Sequence, residues 1–293
     1  MKKYAFICCG FFFFLSAGRA QDTTAAQPAE AMMRTSNTSY KPNDENRREV
    51  YKIKKSVDVP VLAIGAGWCG YAFTKIYSKD HSSVAEIENL NRNDVSSFNR
   101  SAIDHYSMKS RHTGDIFFYG SMPLPLLLFL DKKIRSDAGR VGFLFFETMA
   151  VTGTLYTSAV YFHDKYRPYA YNPSVPMSER TRGGAKNSFF AGHVALVGSS
   201  TFFIAKVYSD YHPHSGINWL LYTLAAGATA TTAWCRYDGG QHFPSDILIG
   251  ITEGTLAGIL IPHFHKNKPI KTTGFHLMPY LGEGYGLAAV YKF

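Results

Sequence analysis

Residues 235–246 read "CRYDGGQHFPSD" and lie between two apolar stretches at 217–235 and 246–263. The segment places Arg236, His242 and Asp246 in the spacing R-x5-H-x3-D, with two glycines and a proline between them. A polar run this dense, between stretches of helical length, is either a plain connector or a reactive loop at the end of a helix bundle. Which of the two it is decides what the flanking helices are for.

Working outward, six apolar segments occur at 59–77, 116–130, 141–162, 188–208, 217–235 and 246–263. Each has helical length and few charges. Turn and charge clusters such as "DKKIRSDAGR" (131–140) and "SDYHPHSG" (209–216) separate them. The expectation is an all-α fold, a bundle of about six helices over 59–265. Asn187 or Ser188 is expected to cap the fourth helix, and Ser245 or Asp246 to open the sixth. In the last residues, Tyr285, Leu287, Ala289, Tyr291 and Phe293 alternate with smaller or polar residues. Period two predicts a short strand-like tail within a basic C-terminal segment, 266–293. It resembles the closing strand of an outer-membrane barrel, but one strand makes no barrel.

The N-terminal "MKKYAFICCGFFFFLSAGRA" has two lysines, an apolar run of about a dozen residues and then small residues. This predicts an export signal over 1–20, cleaved after Ala20. Residues 21–58 are polar and read as a linker or arm. Removal of the signal leaves Cys69 and Cys235, expected as free thiols; no Cys/His spacing suggests a metal site. The 293-residue chain carries a formal charge of +9. That balance suits a membrane surface or a phosphorylated substrate; no basic repeat or nucleic-acid motif is present.

Mean hydropathy is only -0.12, low for a chain that is mostly membrane. Yet basic residues at 132–140 and 266–271 flank long apolar segments, as cytoplasmic loops do. With a cleaved signal, 131–140 lies inside only if 116–130 crosses and 59–77 does not. A soluble or surface-attached periplasmic bundle is the alternative.

Three clusters sit at the edges of these segments: Arg167-Pro168 in "HDKYRPYAYNP", Gly192-His193 in "NSFFAGHVA", and the opening stretch. Two arginine forks suit a phosphate. A glycine at a helix N-terminus allows close approach of an anion. Two histidines divide nucleophile and acid roles near neutral pH. If 242–246 is already helical, the Asp246 carboxylate at i+4 holds one ring nitrogen of His242. Each cluster also has a plain reading, as a solvated helix end or a packed core histidine.

Together the clusters resemble the phosphatidic acid phosphatase type 2 / vanadium haloperoxidase superfamily, whose pattern is K-x6-R-P, P-S-G-H and S-R-x5-H-x3-D on a helical bundle. Here these fall at 167–168, at "FAGH" (190–193) and at 235–246, most like the exported bacterial branch. The resemblance implies a metal- and cofactor-independent phosphatase, with His242 as the nucleophile that becomes phosphorylated. It makes Asp246 the group that orients His242, and His193 the acid for the leaving oxygen. Arg167, Arg236 and the Gly192 amide would bind phosphate. A lipid-linked phosphate at a membrane is the expected substrate; a non-specific periplasmic acid phosphatase, an inactive phosphate-binding member and a vanadate-dependent haloperoxidase are alternatives. This chain departs from the pattern at Val160, where the family has lysine, and at Phe190, Ala191 and Cys235. Lys186, just ahead of the second motif, is the expected substitute for the lysine.

Overall fold

The computed structural model describes residues 49–267 and the backbone of 274–281 and 285–292. The expected signal and most of the linker lie outside these. Six long helices dominate the described residues: α1 (Lys55–Ile76), α2 (Met108–Ser121), α3 (Ala138–Phe162), α4 (Gly192–Tyr211), α5 (Asn218–Asp238) and α6 (Pro244–His265). The all-α expectation holds. The tail is two strands rather than one: β1 (Gly274–Leu281) pairs antiparallel with β2 (Tyr285–Lys292), Gly274 opposite Lys292 and Leu281 opposite Tyr285.

The second apolar segment is not one helix. α2 starts at Met108, capped by the Ser107 hydroxyl, which accepts from the Ser110 amide at 3.2 Å. It stops before Pro123, and 124–130 continues as a 3-10 turn. The fold also begins earlier than residue 59. Tyr51 is fully buried and donates its hydroxyl to Asp210 at 2.8 Å, while Lys52 N–H donates to the His265 carbonyl at 2.9 Å. The end of the polar arm is therefore tied to the end of α6.

α4 is the central helix. It buries residues on every side, including Val194, Ala195, Val197, Ser200, Phe203 and Val207, as a helix surrounded by others must. α2, α3, α5 and α6 pack around it, and α1 lies on α3. The α4–α6 contact is made by small residues four apart. A Cβ on Gly250 would stand 2.7 Å from the Ala191 carbonyl oxygen, one on Gly254 would overlap Ala195, and one on Gly258 would stand 2.6 Å from the Ser199 carbonyl oxygen. Only glycine lets the two backbones come this close.

Successive helices run in alternating directions. The C-terminal ends of α1, α3 and α5 thus meet the N-terminal ends of α2, α4 and α6. The connections 77–107, 163–191 and 239–243 gather there, and these carry the motifs. Three stretches are long and apolar enough to cross a membrane: α1, the 108–130 unit and α6. With α1 among them by length and composition, a crossing count that needs 59–77 not to cross loses its premise.

Candidate active site

His242 stands on the short turn between α5 and α6. Gly240 has φ +65°, and a Cβ there would overlap the His105 carbonyl, so this position of the opening motif requires glycine. The turn is pinned from outside: Tyr169 N–H donates to the Gly240 carbonyl at 3.1 Å and Arg167 Nη1 to the Gln241 carbonyl at 3.0 Å. His242 is 1% exposed. Its Nδ1 lies 2.6 Å from the Ser188 carbonyl oxygen. A carbonyl only accepts, so Nδ1 carries the proton and the Nε2 lone pair is free. Arg167 Nη1 faces that nitrogen at 3.2 Å. Burial, then the Arg167 charge, holds His242 well below its ordinary pKa. The imidazole is neutral at pH 7, in the tautomer a nucleophile needs.

Asp246 does not orient His242 directly, contrary to expectation. α6 begins at Pro244, and its cap residue Phe243 is extended at φ −74°, ψ 155°. His242 therefore precedes the first helical turn, and the i, i+4 geometry does not form. The fully buried Asp246 instead accepts from Lys165 Nζ at 2.6 Å, Ser188 Oγ at 2.7 Å and the Phe243 amide at 3.3 Å. It acts on His242 through Ser188, whose carbonyl holds the ring. Ser188 is not a helix cap: it lies four residues before α4 opens at Gly192. The Lys165 ammonium also sits over the rings of Phe189 and Phe243, at 5.7 and 5.1 Å.

A second polar group is built on α2, α4 and α5. Arg236, 4% exposed, pairs with Asp115, and Asp115 also lies 3.4 Å from His193 Nε2. Asp115 carries no family signal and was missed in the sequence. A Cβ on Gly114, the residue before it, would press on the Arg236 guanidinium at 2.9 Å. Burial lowers His193 to about 4 against the pull of Asp115, helped by Arg236 and Arg167. Both arginines lower both histidines, so the two groups share one electrostatic field. Arg236 Nε is buried without a partner, a donor held ready for an acceptor. Gly192 opens α4, where the first amides lack intrahelical partners. Its lack of a Cβ is required by packing, because a Cβ would stand 2.5 Å from the Tyr156 ring.

Val160 is fully buried with Ile76, Tyr156, Phe190 and Ala195. The family lysine position is thus part of an apolar cluster here, and so is the first substituted position of the second motif. Lys186 meets the region through its backbone, its carbonyl accepting from Lys165 N–H, and no side-chain contact of Lys186 is found among the described residues. Two other lysines reach the site. Lys165 pairs with Asp246. Lys79, from the connection after α1, donates to the Val160 carbonyl at 2.7 Å and pairs with Asp164 at 2.5 Å. Lys79, Arg167 and Gln241 line a cavity of about 540 Å³. Lys79 escaped notice because it is 81 residues from Val160, and nothing in one sequence links the two.

Cys69 and Cys235 are free thiols. Among the described residues, one group has metal-ligand character: Asp58, Glu147 and His265 bring ligand-type atoms within 4.8 Å of one another. It lies at the far end of α6, about 28 Å from Asp246 by helical rise, and has no part in the site.

Comparison with known proteins agrees with the motif reading. A family model described as the PAP2 superfamily matches residues 141–270. That span holds Lys165, Arg167, Ser188, Gly192, His193, Arg236, His242 and Asp246. No curated protein matches the chain. Among solved structures, Aquifex aeolicus LpxE aligns at 20% identity and TM-score 0.39, covering 55% of this chain and 90% of that one. A transmembrane PAP2-type phosphatidylglycerolphosphate phosphatase from Bacillus subtilis aligns at 16% identity and TM-score 0.41, covering 71% and 94%. By its family match and by the order of its three motifs, the segment 141–270 is similar to a PAP2 superfamily domain.

Proposed function

We propose that the protein is a metal-independent phosphatase of a lipid-linked phosphate, working through a phosphohistidine at His242. One observation carries the reading. A buried, neutral His242 has Nδ1 fixed by a carbonyl, and its free Nε2 faces Arg167. That is an activated nucleophile beside a phosphate-binding fork.

The steps follow from the groups present. A phosphate ester displaces the Arg167–His242 contact and takes the Arg167 fork and the unpaired Arg236 Nε–H. Nε2 attacks phosphorus, an N–P bond forms and the P–O ester bond breaks. The leaving oxygen takes a proton from His193, supplied in its protonated form as the phosphate charge raises its proton affinity. Neutral His193 then removes a proton from water as the oxygen attacks phosphorus. The N–P bond breaks, and inorganic phosphate and His242 are regenerated. A carbonyl fixes the His242 tautomer as a carboxylate would, but stabilises the phosphoimidazolium less. The buried Asp246, paired with half-buried Lys165, holds that carbonyl in place through Ser188.

The lipid character rests on the three apolar stretches whose ends frame the site. Purified protein in EDTA is expected to release inorganic phosphate from a short-chain phosphatidic acid, and His242→Ala to lose at least a thousandfold. Equal rates in both would end the proposal. The apolar Val160 and Phe190 favour a second reading, a phosphate-binding protein without turnover. Trapping labelled phosphate on His242 excludes it.

A further inference from the structure

The group at the far end of α6 takes no part in the steps above, yet three helices build it. Asp58 comes from the first turn of α1, Glu147 from within α3 and His265 from the last turn of α6. Both carboxylates are buried, Asp58 at 4% exposed and Glu147 at 5%. Among the described residues neither pairs with a lysine or an arginine; the one basic side chain at either is His265. Its Nε2 lies 3.2 Å from Asp58 Oδ2 and 3.6 Å from Glu147 Oε2. Its Nδ1 lies 2.7 Å from the Ile261 carbonyl oxygen, which only accepts, so Nδ1 carries the ring's proton. A neutral His265 thus turns a third acceptor toward two carboxylate oxygens. A second proton, on Nε2, answers only one of them: 3.6 Å is too long for a hydrogen bond, and the buried Glu147 Oε2 has no hydrogen-bond partner. One imidazolium against two buried carboxylates leaves a net negative charge and an orphaned oxygen, which is costly.

We propose that Asp58, Glu147 and His265 form a structural site for a divalent transition-metal ion of the zinc type. A dication balances the two carboxylates and answers all three acceptors at once. Around a tetrahedral zinc, with ligands at about 2.0–2.1 Å, neighbouring ligand atoms stand about 3.3 Å apart. The two Nε2–oxygen distances bracket that spacing, and all three atoms lie within 4.8 Å of one another. The outer partners are those a metal site needs: the Ile261 carbonyl fixes the ring, and Lys54 N–H donates to Asp58 Oδ2 at 2.5 Å. An imidazole nitrogen with two carboxylates suits zinc better than magnesium or calcium, which take oxygen ligands. The ion fastens the start of α1 to the end of α6 across α3. The backbone ties the same place, with Lys52 N–H donating to the His265 carbonyl at 2.9 Å and Asn267 N–H to the Val50 carbonyl at 2.8 Å. The inference is independent of the phosphatase reading, because the ion sits about 28 Å from Asp246 along α6 and takes no part in turnover.

The test uses the detergent-solubilised full chain without a histidine tag, stripped with EDTA and then freed of it. Wild type is expected to retain one zinc ion per chain through gel filtration. Its Tm should rise by roughly 5–10 °C at a hundredfold excess of zinc over the Kd. Magnesium at the same concentration should give no rise. Glu147→Gln is expected to weaken zinc binding about a hundredfold and to lose the rise in Tm. Its zinc-free Tm should match or exceed that of zinc-free wild type, because a buried charge is gone. His263→Gln, at an exposed histidine on the same helix end, should keep both the ion and the rise. Wild type that retains no zinc, or gains no Tm from it, overturns the site. So does a Glu147→Gln variant that binds zinc as wild type does, or a His263→Gln variant that loses it, which would put the ion on surface histidines. A rise with magnesium equal to that with zinc overturns the transition-metal assignment. If Glu147→Gln fails to fold, Asp58→Asn carries the same comparison.

Discussion

At the scale of single residues, the proposed chemistry depends on one buried charge, Asp246, and on the proton of the partly exposed His193. Asp246 has no exposed surface, and Lys165 is its one cationic partner among the described residues. Removing one member of a buried pair leaves the other uncompensated, at a cost of about 3–5 kcal/mol. Lys165→Met is expected near the lower end, because Ser188 and the Phe243 amide still bond the carboxylate. Denaturation of Lys165→Met, Asp246→Asn and the double variant checks this. The double variant should lose less than the sum of the singles, and strict additivity would refute the pairing. The proton of His193 sets the pH profile. Burial, with the two arginines, lowers its pKa to about 4, and the acid role proposed for it needs that proton. As pH rises through that value the protonated fraction falls, so kcat/KM falls on the alkaline side. It should be at least about tenfold higher at pH 5 than at pH 8. Asp115 raises the His193 pKa, so Asp115→Asn should move the alkaline limb to lower pH; an unmoved limb would assign the proton elsewhere. Arg167, Arg236, His193 and His242 were legible because their spacing is fixed by chemistry that recurs. Asp115 was not, because its partner lies 121 residues away and no local pattern marks it; Lys165 stands close to Arg167 in the sequence, but nothing there joins it to Asp246, 81 residues on.

At the scale of elements, the site is as good as the α4–α6 contact. α4 carries His193, α6 carries Asp246, and backbone touches backbone along Gly250, Gly254 and Gly258. The G-x3-G-x3-G spacing of "GITEGTLAG" was in the sequence, and a stripe of small residues four apart is a signal of close helix approach. Its partner stripe, Ala191, Ala195 and Ser199, could not be assigned without knowing which helices touch. Gly254→Ala would drive a methyl into the Ala195 backbone and force the helices apart. An overpacking cost of about 1–3 kcal/mol is expected, read as a lower Tm, together with lost turnover because both site elements shift. Gly67→Ala on α1 meets nothing within 4 Å and serves as the control, with Tm unchanged or slightly raised, since alanine is the better helix former. The helix starts were the least legible feature. The hydroxyl or amide side chains of Asn187 and Ser188 look like caps, but both are buried in site contacts, Ser188 with Asp246 and Asn187 with the Ile76 carbonyl. Tertiary hydrogen bonds outrank a local preference worth only about 1 kcal/mol.

At the scale of the whole molecule, the solvent around the helices decides what their exposed apolar faces do. Composition argued both ways, because a low mean hydropathy averages polar connections with apolar helices. The structure separates them. Ile64 near the middle of α1 is 73% exposed, and Ile116 in the first half of the 108–130 unit is 71% exposed. In water an exposed isoleucine is unremarkable, and replacing it changes stability by roughly 0.5 kcal/mol or less. At the centre of a membrane-spanning helix the same change is severe: isoleucine favours insertion by about 0.5 kcal/mol and lysine opposes it by about 3. Ile64 lies at the midpoint of α1, so Ile64→Lys tells the two environments apart. The expectation is that wild type stays with membranes through an alkaline carbonate wash and is released by detergent. The Ile64→Lys variant should fall several-fold in the membrane fraction, while Lys55→Ala at the helix end should not. Were both Ile64→Lys and wild type to wash off as soluble protein of equal Tm, the exposed apolar faces would need another partner. The lipid substrate would then lose its physical basis, and a soluble phosphoester would take its place.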